Sequence, residues 1–235
     1  MKKNKNHFEW LHEMIFHGTN QAFQWTEEVR PEVYKNHQIS THNSTVFVDS
    51  KGFIGQKRPG AYRYSRFQSP LIDISTVMIY PVSNIVDYPV FAVEFVLIMD
   101  KIHVIVLDVE SLDSINKYEK VFTRIRQDFL TQFPQKETVP DWYQSICTSY
   151  NVFSSGSIES SKALKELTQS YLNAYQLIVL GNKEIKNVNE LVDHSLVAEY
   201  KRHHAKNSPA KTIIKGENEP WLNEFLNAYH FGIID

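Results

Sequence analysis

The stretch MIYPVSNIVDYPVFAVEFVLIMDKIHVIVLDVESL, residues 78–112, decides the fold of this chain. It contains two apolar runs rich in β-branched residues, Val90 to Met99 and Ile102 to Val109, which predict a hairpin with its turn at Asp100–Lys101. Glu94 places a carboxylate inside the first run. Burial of a carboxylate costs free energy of desolvation, so a buried one is expected to be paired or to take part in chemistry. The alternative is a solvent-facing Glu94 on a strand that alternates apolar and polar residues.

The residues before this hairpin predict further strands of the same sheet. Thr45 to Val48, Tyr62 to Phe67 and Leu71 to Tyr80 are strand-like, and they are separated by Gly and Pro residues, namely Gly52, Gly55, Pro59 and Gly60. Because the connections are short, we expect neighbouring strands to pair antiparallel in a meander rather than in βαβ units. Residues 26–45 are polar and predict a loop with short irregular pieces.

Helical periodicity dominates both ends of the chain. The predicted helices are His7–Phe23, Ser114–Phe133, Ile158–Leu180, Val188–Ala205 and Pro220–Phe231, with a last short strand at Tyr150–Ser154. Strands followed by helices predict an α+β fold. We expect a three-layer α/β/α sandwich, in which helices flank a central antiparallel β-sheet, formed by a single domain over residues 1–235.

Composition excludes several classes of protein. The 235 residues are 42% hydrophobic and 22% charged, which predicts a packed core rather than disorder. The formal net charge of -2 argues against a nucleic-acid binder, which needs a broad basic face. Cys147 is the only cysteine, so no disulfide framework or cysteine cluster is expected, and the cytoplasm is the natural setting. No apolar run is long enough for a membrane helix, so no membrane partner is expected.

Several short motifs follow one another along the chain from Tyr62 onward. In order they are Tyr80-Pro81, Asp87-Tyr88-Pro89-Val90-Phe91, Glu94, Leu107-Asp108-Val109, Pro140-Asp141-Trp142, Val152-Phe153-Ser154 and the segments Tyr200–Asn207, Pro209–Thr212 and Trp221–Phe231. This order resembles that of the ferredoxin-dependent bilin reductases. Members of that family take electrons from ferredoxin and reduce biliverdin or a related open-chain tetrapyrrole.

Four positions depart from the family pattern. Thr76 stands where the family often carries His or Asn, and Glu94 stands where it usually carries Asp. Ser208 follows Asn207 where Asp is common, and Ser155 is the nearest match to an arginine that would pair with a propionate. These departures bear on the product of the reaction and on activity itself.

The resemblance implies a flat, apolar ligand with two propionates, held between the sheet and the C-terminal helices. Ferredoxin is the expected external electron donor, no bound cofactor is expected, and the protein is expected to be a monomer. Biliverdin or a dihydrobiliverdin would be reduced to a phycobilin by sequential proton-coupled one-electron transfers. The expected catalytic residues are Glu94 as proton donor, with Thr76 and Ser208 as hydroxyls that relay a proton but cannot act as acids at neutral pH.

Other polar residues are expected to contact the substrate. These are Asp87, Arg63, Arg66, Asn207 and Lys211, of which Arg63 and Arg66 are alternative anchors for a propionate. Asp87 has a turn cap as its alternative role, and Ser208 has that of a helix terminator before a proline. A basic segment that could meet either a propionate or acidic ferredoxin comprises Lys201, Arg202, Lys206, Lys211 and Lys215.

Three other functions stay open at this point. The first is reduction of a chlorophyll-derived linear tetrapyrrole, which the glutamate at position 94 favours over biliverdin. The second is a non-catalytic bilin carrier, because Thr76 and Ser208 lack the acids of the family pattern. The third is an unrelated α+β interaction domain that binds no pigment.

Overall fold

The computed structural model describes residues 7–41, 44–83, 88–110, 118–136, 138–181 and 195–232. The strands are β1 (Trp25–Glu27), β2 (Asn36–Ser40), β3 (Thr45–Gly55), β4 (Gly60–Gln68), β5 (Ile72–Pro81), β6 (Val90–Ile98), β7 (Lys101–Glu110) and β8 (Val152–Ser157). The helices are α1 (Glu9–Phe23), α2 (Glu119–Phe129), α3 (Asp141–Gln144), α4 (Ser161–Gly181), α5 (Ser195–Asn207), α6 (Ala210–Ile213) and α7 (Glu219–Glu224), and a π-helical turn (Phe225–His230) follows α7.

The eight strands of the described residues form one antiparallel sheet in the order β1-β3-β4-β5-β6-β7-β8, with β2 paired to β3. From β3 to β8 the spatial order is the chain order, so the predicted meander is confirmed. Strand β6 lies between β5 and β7, and its side chains are buried along almost the whole strand.

Two hydrophobic clusters cover the two faces of the sheet. On β6, Phe91, Val93 and Phe95 contribute to the cluster that includes α1, α2 and α4, whereas Ala92 and Val96 contribute to the cluster that includes α5, α6 and α7. The alternation follows from the period of two along a strand. The α+β fold with helices on both sides of an antiparallel sheet is confirmed.

A two-residue turn joins β6 to β7 and fixes the register of the hairpin. Met99 and Asp100 both have positive φ angles, 46° and 63°, as a type I′ turn requires, and Ile98 pairs with Lys101. The predicted hairpin is confirmed, although the turn lies one residue earlier than expected. Aspartate adopts the left-handed region more readily than most residues.

The prediction of a loop over residues 26–45 was wrong in part, because β2 lies within it and β1 and β3 extend into its ends. Ile39 is the one buried residue of β2, so this edge strand carries too few apolar residues to be recognised. The prediction that Gly52 separates two strands was wrong, because Gly52 lies inside β3, where an added Cβ would lie 2.5 Å from Arg30 Nε. The glycine therefore leaves room for a side chain rather than making a turn.

The later helices begin and end close to the predicted residues, with parts of two predictions lying outside the described residues. Residues 114–117 and 188–194 cannot be compared for this reason, and α2 and α5 follow them. Within the described ranges, no helix combines the length and the apolar character that crossing a bilayer requires.

A buried ion pair lies on the α1/α2/α4 face of the sheet. Arg66 on β4 donates to both carboxylate oxygens of Asp73 on β5, at 2.9 Å and 2.6 Å, and the Ser75 hydroxyl also donates to Asp73 at 3.3 Å. Both charged side chains are less than a tenth exposed. A bidentate geometry of this kind matches the fork of the guanidinium to the carboxylate.

Substitution of Asp73 tests whether its ion pair with Arg66 stabilises the fold. We expect Asp73→Ala to lower the free energy of unfolding by about 3–5 kcal/mol, because a buried guanidinium loses its counter-charge. Urea unfolding followed by circular dichroism measures the loss. The double variant Arg66→Met/Asp73→Leu removes both charges and should recover most of the stability. A change below about 1 kcal/mol in Asp73→Ala would mean that the pair is solvated.

Candidate functional site

Glu94 lies at the middle of the sheet, on β6, with Thr76 directly opposite on β5 and Val106 on β7. The strand alternation points its side chain to the same face as Ala92 and Val96, toward α5–α7. The residue is 8% exposed, so the solvent-facing alternative is wrong. The Thr76 hydroxyl donates to Glu94 Oε2 at 3.4 Å.

The surroundings of Glu94 favour a protonated carboxyl. Burial raises the pKa of Glu94 from 4.5 to about 7, and the hydrogen bond from Thr76 opposes this shift only in part. Near neutral pH the group is therefore divided between acid and carboxylate. A carboxyl poised in this way can donate a proton to a bound molecule.

The α5–α7 face contains buried polar atoms for which the described residues supply no hydrogen-bond partner. These are Arg63 Nε, Glu110 Oε2, Tyr200 Oη, His204 Nε2, Trp221 Nε1 and both ring nitrogens of His230. Buried polar groups in proteins are nearly always satisfied. On the opposite face of the sheet the described residues show one such atom, Tyr175 Oη. The α5–α7 face is thus suited to a ligand with polar groups along its edge.

Two buried histidines on this face are neutral. Burial lowers the pKa of His204 to about 3, and burial together with Arg30, Arg63 and His204 lowers the pKa of His230 well below its usual range. The His204 ring lies 4.5 Å from Tyr200 and 5.4 Å from Trp142, measured between ring centroids. Neutral imidazoles among aromatic rings can accept or donate a hydrogen bond without carrying charge.

A cleft of about 440 Å³ opens between the ends of the sheet and α5. Arg63, Tyr80, Lys201 and the single carboxylate of Glu28 line it, together with small and apolar residues. Lys201 Nζ lies 4.5 Å from the centre of the Tyr80 ring and donates to the Gly232 carbonyl at 3.0 Å. Burial, then Arg63 and Arg202, lowers the pKa of Lys201 to about 8. An anion bound in the cleft would offset this excess of positive charge.

The structure brings three of the residues expected from the sequence to one face. Glu94 and Thr76 are in contact, and Arg63 lies on the same face two strands from Glu94, where it donates to Glu28 at 3.1 Å. Arg66 lies on the opposite face in its pair with Asp73, so the structure does not bring it to Glu94.

The residues expected near the end of α5 make local contacts. Ser208 is buried, and its hydroxyl accepts from the Ala210 backbone N–H at 3.4 Å, which fits its alternative role at a helix boundary. Asn207 donates to the His203 carbonyl at 2.8 Å within the same helix, and Lys211 lies on α6. Asp87 lies outside the described residues.

Sequence reasoning did not assign Tyr200, His204, His230 or Glu110 to this face. A signal existed for the first two, because residues four apart on a helix share one side, and Tyr200 and His204 are both buried on α5. Glu110 follows Asp108 by two residues on β7 and therefore shares its face. His230 belongs to the π-helical turn, for which helical periodicity gives no signal.

Comparisons with known proteins identify the family and agree with the fold. The family model described as ferredoxin-dependent bilin reductase matches residues 58–231. The crystal structure of phytochromobilin synthase from tomato in complex with biliverdin is similar in fold, with a TM-score of 0.76 at 14% identity, covering 96% of this chain and 83% of that one. No curated protein matches the sequence. Because the family match extends over most of the chain, this protein belongs to the ferredoxin-dependent bilin reductase family.

Proposed function

We propose that this protein reduces an open-chain tetrapyrrole, biliverdin or a dihydrobiliverdin, to a phycobilin with electrons from reduced ferredoxin. Ferredoxin delivers electrons singly, so each two-electron reduction proceeds through a ligand radical and consumes two protons. The observation that carries the proposal is Glu94, a buried carboxyl on the central strand whose pKa burial raises to about 7. A carboxyl with such a pKa can supply protons near neutral pH.

The tetrapyrrole would lie between the sheet and α5–α7. Support comes from the polar atoms on this face that the described residues leave without partners, among them His204 Nε2 and Tyr200 Oη. These neutral groups suit the lactam and pyrrole edges of a bilin, and the aromatic rings around His204 suit its flat faces. Arg63 and Lys201 in the adjoining cleft would meet a propionate.

Glu94 would protonate the ligand, and the hydroxyls of Thr76 and Ser208 would relay a proton. Thr76 already donates to Glu94, and a hydroxyl of this kind orients the carboxyl without competing as an acid. Lys211 and Asn207 would contact the substrate or ferredoxin from the end of α5 and from α6. The reaction needs no bound cofactor in this proposal, and we infer a monomer that acts in the cytoplasm without nucleic-acid or membrane partners.

A second candidate function follows from the length of the Glu94 side chain. Glutamate is one methylene longer than aspartate, so its carboxyl could reach a different carbon, as in a chlorophyll-derived linear tetrapyrrole. A non-catalytic bilin carrier is the remaining alternative. Ferredoxin-driven turnover distinguishes enzyme from carrier, and product chromatography with each substrate distinguishes the two enzymes.

Replacement of Glu94 tests the proton donor. We expect wild-type protein to shift the absorbance spectrum of biliverdin stoichiometrically, and Glu94→Gln to bind with an affinity within about threefold. Anaerobic turnover with a ferredoxin-regenerating system should fall by about 10²–10⁴-fold, because the amide cannot donate the proton. Glu166→Gln on the exposed surface of α4 is the matched control. Normal turnover in Glu94→Gln would remove Glu94 from this role.

The pH dependence of turnover provides an independent test. Burial raises the pKa of Glu94 to about 7, so the active acid predominates below pH 7 and is lost above it. We expect kcat/KM to be flat below about pH 7 and to fall about tenfold per pH unit above it, since kcat/KM reports groups of the free enzyme. Stopped-flow assays with reduced ferredoxin in excess measure this profile. An activity that rises with pH over this range contradicts the assignment.

Loss of the Lys201 charge tests the propionate contact. We expect Lys201→Met to weaken binding of biliverdin about tenfold, about 1.4 kcal/mol, and to leave binding of its dimethyl ester nearly unchanged. Lys215→Met, on an exposed part of the basic segment, is the control. Absorbance titrations give both affinities. Equal losses for acid and ester would mean that Lys201 acts through packing rather than through its charge.

A further inference from the structure

At the cleft that contains Lys201, one carboxylate bridges two buried guanidinium groups. Arg30 Nε donates to Glu28 Oε2 at 3.0 Å, and Arg63 Nη2 donates to Glu28 Oε1 at 3.1 Å. The side chains of Arg30 and Arg63 are 3% and 7% exposed, whereas that of Glu28 is 33% exposed. The carboxylate is therefore the member of this cluster that solvent reaches most easily.

The two guanidinium groups are also held by contacts that do not involve Glu28. Gly52 on β3 pairs with Arg63 on β4, and the missing side chain of Gly52 leaves the space that the Arg30 guanidinium fills. Arg30 donates to the Tyr229 carbonyl, and Arg63 Nη1 donates to backbone carbonyls of β3 and β4 at 3.3 Å and 3.2 Å. The cations therefore stay in place if the Glu28 side chain moves.

Positive charge exceeds negative charge at this end of the cleft. Lys201 lines the cleft together with Arg63 and Glu28, and it donates to the Gly232 carbonyl rather than to a carboxylate. Arg63 Nε is buried and has no hydrogen-bond partner among the described residues. Three cations thus share the single carboxylate of Glu28, and the cleft, at about 440 Å³, has room for a further anionic group.

Glu28 lies where its side chain can move without a change in the sheet. It follows the last residue of β1 and belongs to no helix or strand, and Val29 after it is almost fully exposed. The Glu28 backbone N–H donates to the Gly52 carbonyl at 2.8 Å, so the backbone is anchored while the side chain faces the cleft. Rotation about side-chain bonds is enough to carry the carboxylate into water.

We infer that Glu28 is a displaceable counter-ion. In the free protein its carboxylate occupies the position between Arg30 and Arg63 that an anionic group of the ligand takes, and the side chain turns into water when that group binds. The inference rests on the proposed function for the identity of the group, which is a propionate of the bilin. Glu28 and Arg30 precede residues 58–231, so the family match assigns them no role.

Exchange of one carboxylate for another avoids the main cost of an empty anion site. Two buried guanidinium groups without a counter-charge would destabilise the fold, and Glu28 prevents this when no ligand is bound. On binding, the ligand carboxylate takes over both ion pairs and adds Lys201, while the displaced Glu28 regains its hydration. Competition from Glu28 lowers the affinity below that of an unoccupied site, which favours release of the product.

Sulfate provides a probe of this site without bilin or ferredoxin. The dissociation constant follows from the rise of the thermal unfolding midpoint with sulfate concentration at low ionic strength. We expect Glu28→Gln to bind sulfate at least about tenfold more tightly than the wild-type protein, because the competing charge is gone. Glu27→Gln, an exposed neighbour on β1, is the matched control and should bind as the wild type does. Equal or weaker binding by Glu28→Gln would overturn the inference.

Chemical labelling of the wild-type protein tests the movement of Glu28 and requires no variant to fold. Carboxyl groups are coupled to an amine with a water-soluble carbodiimide, and peptide mass spectrometry gives the rate for each residue. Sulfate should raise the rate at Glu28 at least about threefold, because its carboxylate leaves the two guanidinium groups, and should leave the rates at exposed Glu27 and Glu32 unchanged. A rate at Glu28 that does not rise means that the carboxylate stays in its ion pairs, which contradicts displacement.

Biliverdin and its dimethyl ester separate this inference from the proposed function. Glu28→Gln should bind biliverdin at least about tenfold more tightly than the wild type and should bind the ester equally well, as absorbance titrations measure. Equal gains for acid and ester would overturn displacement by a propionate while the proposed function stands. A wild-type protein that releases Glu28 with sulfate but binds no bilin overturns the proposed function and supports the displaceable counter-ion.

Discussion

The burial of an acid at the centre of the sheet is the constraint on which the rest of the structure depends. Strand β6 has a neighbour on each side and helices on each face, so Glu94 is buried and only 8% exposed. The Thr76 hydroxyl donates to Glu94, but a neutral hydroxyl cannot balance a negative charge. The remaining way to lower the desolvation cost is protonation, and the pKa of Glu94 rises accordingly.

The sheet was predictable from the sequence because its signals are local. Apolar runs with short connections specify antiparallel neighbours, and the β6–β7 hairpin needs only a two-residue turn with positive φ angles. Strand β2 was not predictable in the same way, because it pairs at the sheet edge and buries only Ile39. Gly52 was misread as a break because the Arg30 side chain that it accommodates comes from a distant part of the chain.

The candidate site was predictable only where the alternation of side chains along a strand determines the face to which each residue points. Arg63 and Arg66 are three residues apart on β4, so alternation alone places them on opposite faces, and only one of them can share the face of Glu94. The residues from α5 and the π-helical turn are different. The spacing of Tyr200 and His204 predicts that they share one side of α5, but only the packing of α5 against the sheet places that side on the face of Glu94. His230 belongs to the π-helical turn, which helical periodicity does not predict.

The two faces of the sheet differ in what their side chains contribute. Toward α1, α2 and α4, residues such as Phe91, Val93 and Phe95 form an apolar core, and the buried charges are paired. Toward α5–α7, each buried polar atom that has no partner among the described residues costs about 1–3 kcal/mol of stability if it stays unpaired. Alternate residues of one strand point to opposite faces, so the same strands also bury apolar side chains on the other face. The burial of those side chains can offset the cost of the polar atoms. A ligand that forms hydrogen bonds with those atoms would recover part of this cost on binding. Its binding would therefore stabilise the folded state.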